Sequence, residues 1–283
     1  MVVVSGATSL VGRYLLPRLA GTGLAVHALS RRATAPAAGV TWHAADLSGE
    51  FGLPAGPTPR LVHVAPLWLA PPLVRRMSAQ GLRRAVAFGS TSRFTKERSA
   101  DASERDVARA LAAAEDDFVR ACEAGRVSWT LFRPTLIYGD GLDHNVAVLS
   151  RLIGRFGFFP LPGRGEGLRQ PVHAEDLAEA CVAALESPAT FGKAYDLPGG
   201  TTLTYRAMLE EIFRGLGKPP RIVRIPLPLM RIAIGLARIL PGYADLTPQM
   251  ADRTSEDLRF GHVEATRDFG YSPRPFTPGA TRR

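Results

Sequence analysis

The sequence contains little cysteine: Cys122 and Cys181 are the only two among 283 residues. Two cysteines cannot form the disulfide framework that stabilises small secreted domains. Both lie in apolar helical patterns, which predicts buried thiols in a reducing compartment. The fold must therefore depend on an ordinary hydrophobic core, and 46% hydrophobic residues in a chain of this length are enough to form one.

Lysine is also scarce, so arginine carries almost all of the formal net charge of +9. Cations clustered on one face would be typical of a nucleic-acid-binding protein. Here the arginines are scattered through predicted helices, and no nucleic-acid-binding motif accompanies them. We interpret the charge as solvated surface together with a site for an anionic ligand, and we expect no nucleic-acid partner.

Long hydrophobic runs are missing. No stretch reaches the roughly 18 uncharged apolar residues of a membrane-spanning helix, and the N-terminal valines do not fit a signal peptide. We therefore expect a cytoplasmic protein. The segment 226–240 is strongly apolar, with Arg231 and Arg238 on one helical face. It either packs a second lobe onto the core or lies in the plane of a membrane, so peripheral membrane contact stays open.

Short β-branched runs alternate with helical patterns in the first half of the chain. This alternation predicts an α/β fold, a Rossmann-type doubly wound parallel sheet covered by helices on both faces. The predicted strands are Met1–Ser5, Ala25–Ser30, Val40–Ala44, Arg60–Val64, Arg84–Phe88 and Val127–Phe132.

The alternation of strands and helices ends after Pro134, where Gly- and Pro-rich loops surround further helices. We predict a dinucleotide-binding core over residues 1–140. Residues 141–283 would return some elements to that core and form a smaller, mostly helical C-terminal substrate lobe. The predicted helices are Leu10–Ala20, Pro72–Gln80, Glu104–Glu123, about 143–156, 174–186 and a region from about Thr204, with a short strand near Arg221–Ile225.

The first strand leads into a glycine turn, Gly6-Ala-Thr-Ser-Leu-Val-Gly12, and then into an apolar helix. This order of elements is what a dinucleotide fingerprint requires, because backbone amides at the helix N-terminus can face a pyrophosphate. Ser9 stands where the fingerprint has a glycine. Its Cβ would occupy space near the phosphates, while its hydroxyl could donate to them.

The second strand ends in Ser30-Arg31-Arg32, without the acid that usually binds the ribose hydroxyls of NAD. Guanidinium groups pair with phosphate in a forked geometry, so NADP(H) is favoured over NAD(H). Asp46-Leu47 follow the third strand, where an acid can bind the adenine amino group or cap a turn.

Motifs spread along the chain resemble the extended or atypical short-chain dehydrogenase/reductase group, the NAD-dependent epimerase/dehydratase-like proteins. They are Gly6–Gly12, Ala45-Asp46-Leu47, Val62-His-Val-Ala-Pro66, Phe88-Gly-Ser-Thr-Ser92, Arg133-Pro-Thr-Leu-Ile-Tyr-Gly139, Gln170-Pro-Val-His-Ala-Glu-Asp-Leu177 and Asp268-Phe-Gly-Tyr-Ser-Pro-Arg274.

The resemblance implies that Val64–Pro66 and Ser90 lie along the cofactor and that Pro134-Thr135 adjoin the nicotinamide. Combined with the glycine turn and the second and third strand ends, it completes the predicted cofactor site. The predicted cofactor-binding residues are Gly6, Thr8, Ser9, Leu10, Val11, Gly12, Ser30, Arg31, Arg32, Asp46, Leu47, Val64, Ala65, Pro66, Ser90, Pro134 and Thr135.

One feature of the family is missing. Its reductases and epimerases use a Tyr-x-x-x-Lys pair, in which lysine lowers the tyrosine pKa for proton exchange with the substrate. With Glu115 as the anchor, those positions are Val107 and Leu111 here, and no tyrosine in the chain has lysine four residues later. Ser90 and Tyr138 are the catalytic candidates, and Lys96, Asp140 and His144 lie near the expected site as alternative acids.

Candidate substrate contacts are Trp68, Thr91, Ser92 and His144. Trp68 follows the fourth strand, at the sheet edge where such folds bind ligands, and could line an apolar pocket or merely cover the sheet. Thr91-Ser92 replace the Asp-Glu pair of the family's sugar dehydratases, which argues against dehydration by that route. His144 could contact a substrate or simply begin a helix.

Three functions fit these residues. The first is an NADP(H)-dependent oxidoreductase for a carbonyl or hydroxyl substrate, plausibly a hydrophobic one, with a non-standard proton donor. The second is a non-catalytic accessory subunit, like the dehydrogenase-like subunit of mitochondrial complex I. The third is a sugar epimerase or isomerase with a replaced base. We expect a small-molecule substrate and no metal, and leave open a homodimer or a protein partner.

Overall fold

A computed structural model describes residues 1–31, 37–49, 51–143, 145–230 and 253–279. The chain forms two compact units. The first comprises Met1–Thr135, Ala174–Leu197 and Gly261–Pro273, and the second comprises Leu136–His173, Pro198–Phe260 and Arg274–Arg283.

The first unit is built on a seven-stranded sheet. Its strands are β1 Val2–Ser5, β2 Val26–Ser30, β3 Val40–Ala44, β4 Arg60–His63, β5 Arg84–Phe88, β6 Ser128–Pro134 and β11 Lys193–Leu197. They lie in the order β11-β6-β5-β4-β1-β2-β3, and every neighbouring pair is parallel. The predicted α/β Rossmann-type sheet is confirmed. Because β2 and β4 lie on opposite sides of β1, the sheet has a topological switch point beside β1.

Six of these strands lie within one or two residues of their predicted bounds. The seventh, β11, was not predicted, because its sequence Lys-Ala-Tyr-Asp-Leu has two charged residues and no β-branched residue among five. It lies at the edge of the sheet and pairs on one side only, with β6.

Helices cover the sheet in two pairs, with α1 against α6 and α2 against α4. The core cluster under α2 and α4 takes alternate strand residues such as Val3, Leu61 and Ala85, which are fully buried. Since strand side chains alternate between faces, the intervening residues of the same strands face the other way. The helices of the first unit are α1 Leu10–Gly21, α2 Ala70–Ser78, α3 Ser92–Thr95, α4 Ala102–Ala124, α6 Ala174–Glu186 and α8 Val263–Phe269.

A buried arginine joins several of these elements. Arg84 begins β5, and its Nη2 donates at 2.7 Å each to Thr130 Oγ1, Thr190 Oγ1 and the carbonyl of Ala184 in the last turn of α6. Burial lowers its pKa to about 10. The charge is compensated by carbonyl dipoles at a helix C-terminus and by the face of Phe191, 4.5 Å away.

The second unit contains a separate core around Ile153, Leu161, Met208 and Phe213, all buried. In the described part of this unit, two helices and three two-stranded sheets surround the core. None of the helices in the described ranges is both long enough and apolar enough to cross a bilayer. The elements are β7 Ile137–Tyr138, α5 Val146–Phe156, β8 Phe159–Pro162, β9 Leu168–Arg169, β10 Val172–His173, β12 Leu203–Thr204, α7 Tyr205–Gly215 and β13 Ile222–Ile225.

Candidate functional site

The glycine turn after β1 depends on two close backbone approaches. Gly6 has φ +70°, and a Cβ there would lie 2.5 Å from the backbone nitrogen of Ala65, so only glycine fits. At Gly12 a Cβ would lie 2.3 Å from the carbonyl oxygen of Ala7. The absence of a side chain at Gly12 therefore lets the start of α1 lie directly against the turn.

Ser9 does not need to be glycine. It is the N-cap of α1, with φ −66° and ψ 167°, which any residue adopts. Its hydroxyl oxygen accepts the backbone N–H of Gly12 at 3.1 Å. The serine therefore stabilises the helix start, and its own proton remains able to reach an anion at the turn.

A cavity of about 420 Å³ opens beside this turn, formed by the loops that follow β1, β2, β3 and β4. Ten of the predicted cofactor-binding residues line it, together with the predicted substrate residue Trp68, which is 60% exposed. The lining residues are Gly6, Thr8, Ser9, Leu29, Ser30, Arg31, Ala45, Asp46, Leu47, Ser48, Val64, Ala65, Pro66, Trp68 and Leu69.

The rest of the predicted set lies elsewhere. Arg32 falls outside the described residues, so the structure bears only on Arg31 at this strand end. Six others are described but do not line the cavity: Leu10, Val11, Gly12, Ser90, Pro134 and Thr135.

Among the described residues, the rim of the cavity carries the cation Arg31 and the acid Asp46. Asp46 accepts the backbone N–H of Ser48 at 3.0 Å and its hydroxyl at 2.6 Å. These two hydrogen bonds lower the pKa of Asp46, and the nearby Arg31 adds a smaller effect in the same direction. Asp46 therefore fixes the loop after β3 and stays ionised beside the exposed guanidinium of Arg31.

His63, the last residue of β4, was not among the predicted site residues. Its Nδ1 lies 2.7 Å from Ser5 Oγ, and its Nε2 lies 3.0 Å from the carbonyl oxygen of Pro66. Because a carbonyl only accepts, Nε2 carries the proton and Nδ1 accepts the Ser5 hydroxyl. The ring thus links the end of β1 to the loop that forms one wall of the cavity. Burial lowers the pKa of His63 to about 4.

Three hydroxyls follow β5. Thr91 is buried and donates its hydroxyl to the carbonyl of Pro134 at 3.1 Å, so its proton joins the ends of β5 and β6. Ser90 is half-buried, and its oxygen accepts the N–H of Ser92 at 3.1 Å. Within the described residues the Ser90 proton has no acceptor, which makes Ser90 the better donor to a substrate.

The positions of the missing pair lie on α4. Val107 is 43% exposed and Leu111 is half-buried. One turn further on, Glu115 is buried and accepts both Nε and Nη2 of Arg133 at 2.7–3.1 Å, together with a short hydrogen bond from Arg93. This cluster fixes α4 to the end of β6 and, with Arg93, to α3. This ion-pair cluster was not predicted from the sequence.

Tyr138, the second catalytic candidate, lies in the second unit. It is buried, accepts the N–H of Thr277 at 3.3 Å, and packs edge-on against His173 with ring centroids 5.0 Å apart. It lines a cavity of about 360 Å³ with Asp143, whose carboxylate accepts the N–H of Ala147 at the start of α5. His144 falls outside the described residues.

The described residues were compared with the arrangements that hold metals and activate thiols. Over the described ranges, no group of three or more His, Cys, Asp or Glu side chains could hold a metal ion. Cys122 and Cys181 are buried and unpaired with each other. Burial raises the pKa of Cys122 to about 12 and raises that of Cys181 as well, so neither thiol is reactive at neutral pH.

The sequence is similar to one protein-family model and to several known proteins. Residues 69–197 match the model of the NAD dependent epimerase/dehydratase family. The matched segment covers less than half of this chain. A segment of 122 residues is 34% identical to an Arabidopsis thaliana protein named NADH dehydrogenase [ubiquinone] 1 alpha subcomplex subunit 9, mitochondrial. It spans 43% of this chain and only 29% of that protein.

A second relative covers more of the chain at lower identity. A protein of Streptomyces griseus subsp. griseus, named (4-alkanoyl-5-oxo-2,5-dihydrofuran-3-yl)methyl phosphate reductase, is 26% identical over 224 residues. The match spans 78% of this chain and 76% of that one.

Among solved structures, MoeE5 in complex with UDP-glucuronic acid and NAD superposes with a TM-score of 0.72 and 17% identity, covering 97% of this chain and 94% of that chain. At this identity the likeness is one of fold. The resemblance inferred from the motifs is confirmed to this extent: residues 69–197 match the NAD dependent epimerase/dehydratase family, and the fold is that of the solved structure.

Proposed function

We propose that this chain is an NADP(H)-dependent oxidoreductase acting in the cytoplasm on a carbonyl or hydroxyl group of a small molecule. The observation that carries the proposal is the cavity beside the glycine turn, where ten residues chosen from the sequence for cofactor binding line one space. Gly6 is held there by a close approach that any Cβ would prevent. This cradle fits a pyrophosphate lying against the start of α1.

The preference for the 2′-phosphate rests on Arg31. It follows β2, is exposed, and lines the cavity, where a guanidinium can bind a phosphate through paired N–H donors. The position that binds the ribose hydroxyls in NAD sites carries no acid in this sequence. The nearby Asp46 is engaged by Ser48 and would leave Arg31 free to bind the phosphate.

A bound nicotinamide would supply or accept the hydride. The proton that balances a carbonyl reduction must come from the chain or from solvent, and Ser90 is the group we assign to it. Its oxygen is fixed by the N–H of Ser92, and its own proton can pass to the substrate oxygen and be replaced from water. The apolar ring of Trp68 offers a wall for a hydrophobic substrate.

Cofactor choice is tested by titrating purified protein with NADPH and NADH in a calorimeter. We expect NADPH to bind more tightly, and Arg31→Gln to weaken NADPH by about tenfold, since a charge-assisted hydrogen bond contributes roughly 1.5–3 kcal/mol. NADH binding should change little. Arg75→Gln, an exposed arginine of α2 that does not line the cavity, is the matched control. Tighter binding of NADH, or equal losses for both cofactors, would overturn the assignment.

Turnover is tested with NADPH and a panel of aldehydes and ketones. The proposal expects slow reduction of at least one hydrophobic carbonyl, and loss of most of that rate in Ser90→Ala without loss of NADPH binding. Tight binding of NADPH without turnover of any carbonyl would count against an oxidoreductase.

The second candidate is a non-catalytic accessory subunit that keeps the nucleotide for stability. It is favoured by Val107 and Leu111, which stand where the family has its Tyr-x-x-x-Lys pair. The Arabidopsis relative, whose name is that of a complex I subunit, also favours it. This function expects NADPH to copurify with the chain and with a larger assembly. Multiple turnovers by the isolated protein would exclude it.

A further inference from the structure

Two segments of the second unit contain no aspartate or glutamate. Residues 145–165 and 212–230 together carry seven lysines and arginines without a single acid. Pairing of β8 with β13 joins the described parts of these segments side by side, in a parallel register that places Val223 opposite Pro160. Lys218 adds a second link, because its Nζ donates to the carbonyl of Gly154 near the end of α5 at 2.6 Å.

Large apolar side chains are exposed on this part of the unit. Phe156 ends α5 and is 55% exposed, and Phe158 is 44% exposed in the connection to β8. Leu152 lies one turn before Phe156 on the same helix face, at 39% exposure, and Val223 on β13 is 51% exposed. Single exposed apolar residues are ordinary, but four on adjoining elements require an explanation.

Exposed arginines lie among these apolar residues. Arg151, Arg155, Arg221 and Arg224 are exposed, and within the described parts of the chain none of them forms an ion pair. The Arg155 guanidinium lies 5.2 Å from the ring centre of Phe156. We define the basic–apolar face by six residues: Leu152, Arg155, Phe156, Phe158, Val223 and Arg224.

We propose that the basic–apolar face docks on the surface of an anionic lipid bilayer. Aromatic and aliphatic side chains enter the boundary between headgroups and acyl chains, while arginines meet the lipid phosphates. A second copy of this face would bring arginines against arginines with no acid between them, which disfavours self-association. The inference does not use residues 231–240, which lie outside the described part of the chain, and it is independent of the proposed enzymatic function.

The full-length protein is tested by co-sedimentation with phosphatidylcholine vesicles that contain or lack phosphatidylglycerol. We expect binding to the anionic vesicles, weakened by salt and at least tenfold weaker in Phe156→Ser/Phe158→Ser. Each guanidinium near an anionic surface contributes about fivefold in affinity, so Arg155→Gln/Arg224→Gln should lose roughly 25-fold. Val263→Ser and Arg75→Gln, exposed residues of the first unit, should bind like the wild type.

Thermal unfolding of each variant identifies those that fold normally, and since the replaced side chains are exposed, we expect all of them to do so. Equal binding to neutral and anionic vesicles, or unchanged binding of both double variants, would overturn the proposal. So would light scattering that shows a wild-type dimer which Phe156→Ser/Phe158→Ser dissociates, because the face would then join two copies of the chain.

Discussion

Acid should unfold this protein through His63. The ring lies buried between Ser5 and Pro66, with Nδ1 accepting a hydroxyl and Nε2 donating to a carbonyl, so both nitrogens are satisfied only while the imidazole is neutral. Protonation would place an uncompensated charge in the core under the cavity wall. The folded protein therefore resists protonation, and the pKa of His63 falls from 6.5 to about 4.

The sign and size of the effect follow from linkage. Above pH 6.5 the group is neutral in both states and its contribution to stability is complete. As the pH falls towards 4, the unfolded chain binds a proton that the folded protein does not, so stability is lost across that window. A shift from 6.5 to about 4 corresponds to roughly 3 kcal/mol in total, of which about 2 kcal/mol is lost between pH 7 and pH 5.

Urea denaturation at pH 7 and pH 5 measures this loss. His63→Gln removes the titrating ring but keeps a donor and an acceptor, so its stability should fall by about 2 kcal/mol less than that of the wild type over the same interval. His262→Gln, which removes a histidine outside the core, should retain the wild-type pH dependence. Parallel curves for the wild type and His63→Gln would refute the reasoning.

Four further substitutions test other parts of the structure. Gly6→Ala, which forces a Cβ against Ala65, should cost about 2 kcal/mol or more in the urea assay and abolish dinucleotide binding; unchanged NADPH affinity would contradict the turn geometry. Arg84→Met should lower the free energy of unfolding by roughly 2–3 kcal/mol because a buried charged donor is lost, and a loss below 0.5 would contradict its role. Glu115→Gln should cost about 3 kcal/mol by leaving two guanidiniums without their carboxylate, whereas the surface control Asp117→Asn should cost less than about 1 kcal/mol. Val107→Tyr combined with Leu111→Lys should raise carbonyl turnover with NADPH by about a hundredfold, and no gain would show that the pair positions do not face a competent site.

The sheet could be predicted because its inner strands contain short apolar runs, such as Val2–Val4 and Ala85–Phe88. Val2–Ser5 and Arg84–Phe88 are buried throughout, and such runs between turn signals are typical of parallel strands covered on both faces. The strand β11 could not be found in this way, since Lys193–Leu197 contains no comparable apolar run. Its place was decided by pairing with β6, which is a long-range contact.

Ten residues predicted to bind a cofactor line one cavity, because a dinucleotide fingerprint depends on local backbone geometry. Gly6 and the loop that begins at Val64 are found from short motifs, each at a strand end. His63 was missed because its role is to join Ser5 to Pro66 across two strands. The histidine lies in a motif quoted for the family, and only the structure assigns it both hydrogen bonds.

The proposed cofactor cavity and the positions of the missing Tyr-x-x-x-Lys pair lie in separate parts of this fold, so the first can persist without the second. The cavity depends on loops after β1, β2, β3 and β4, whereas the missing pair belongs to α4. That helix keeps its structural contacts through buried residues, Glu115 among them, while Val107 is 43% exposed and can change without disturbing the core. The glycine turn therefore bears on whether a dinucleotide binds. Whether a reaction follows depends on α4 and on the hydroxyl of Ser90.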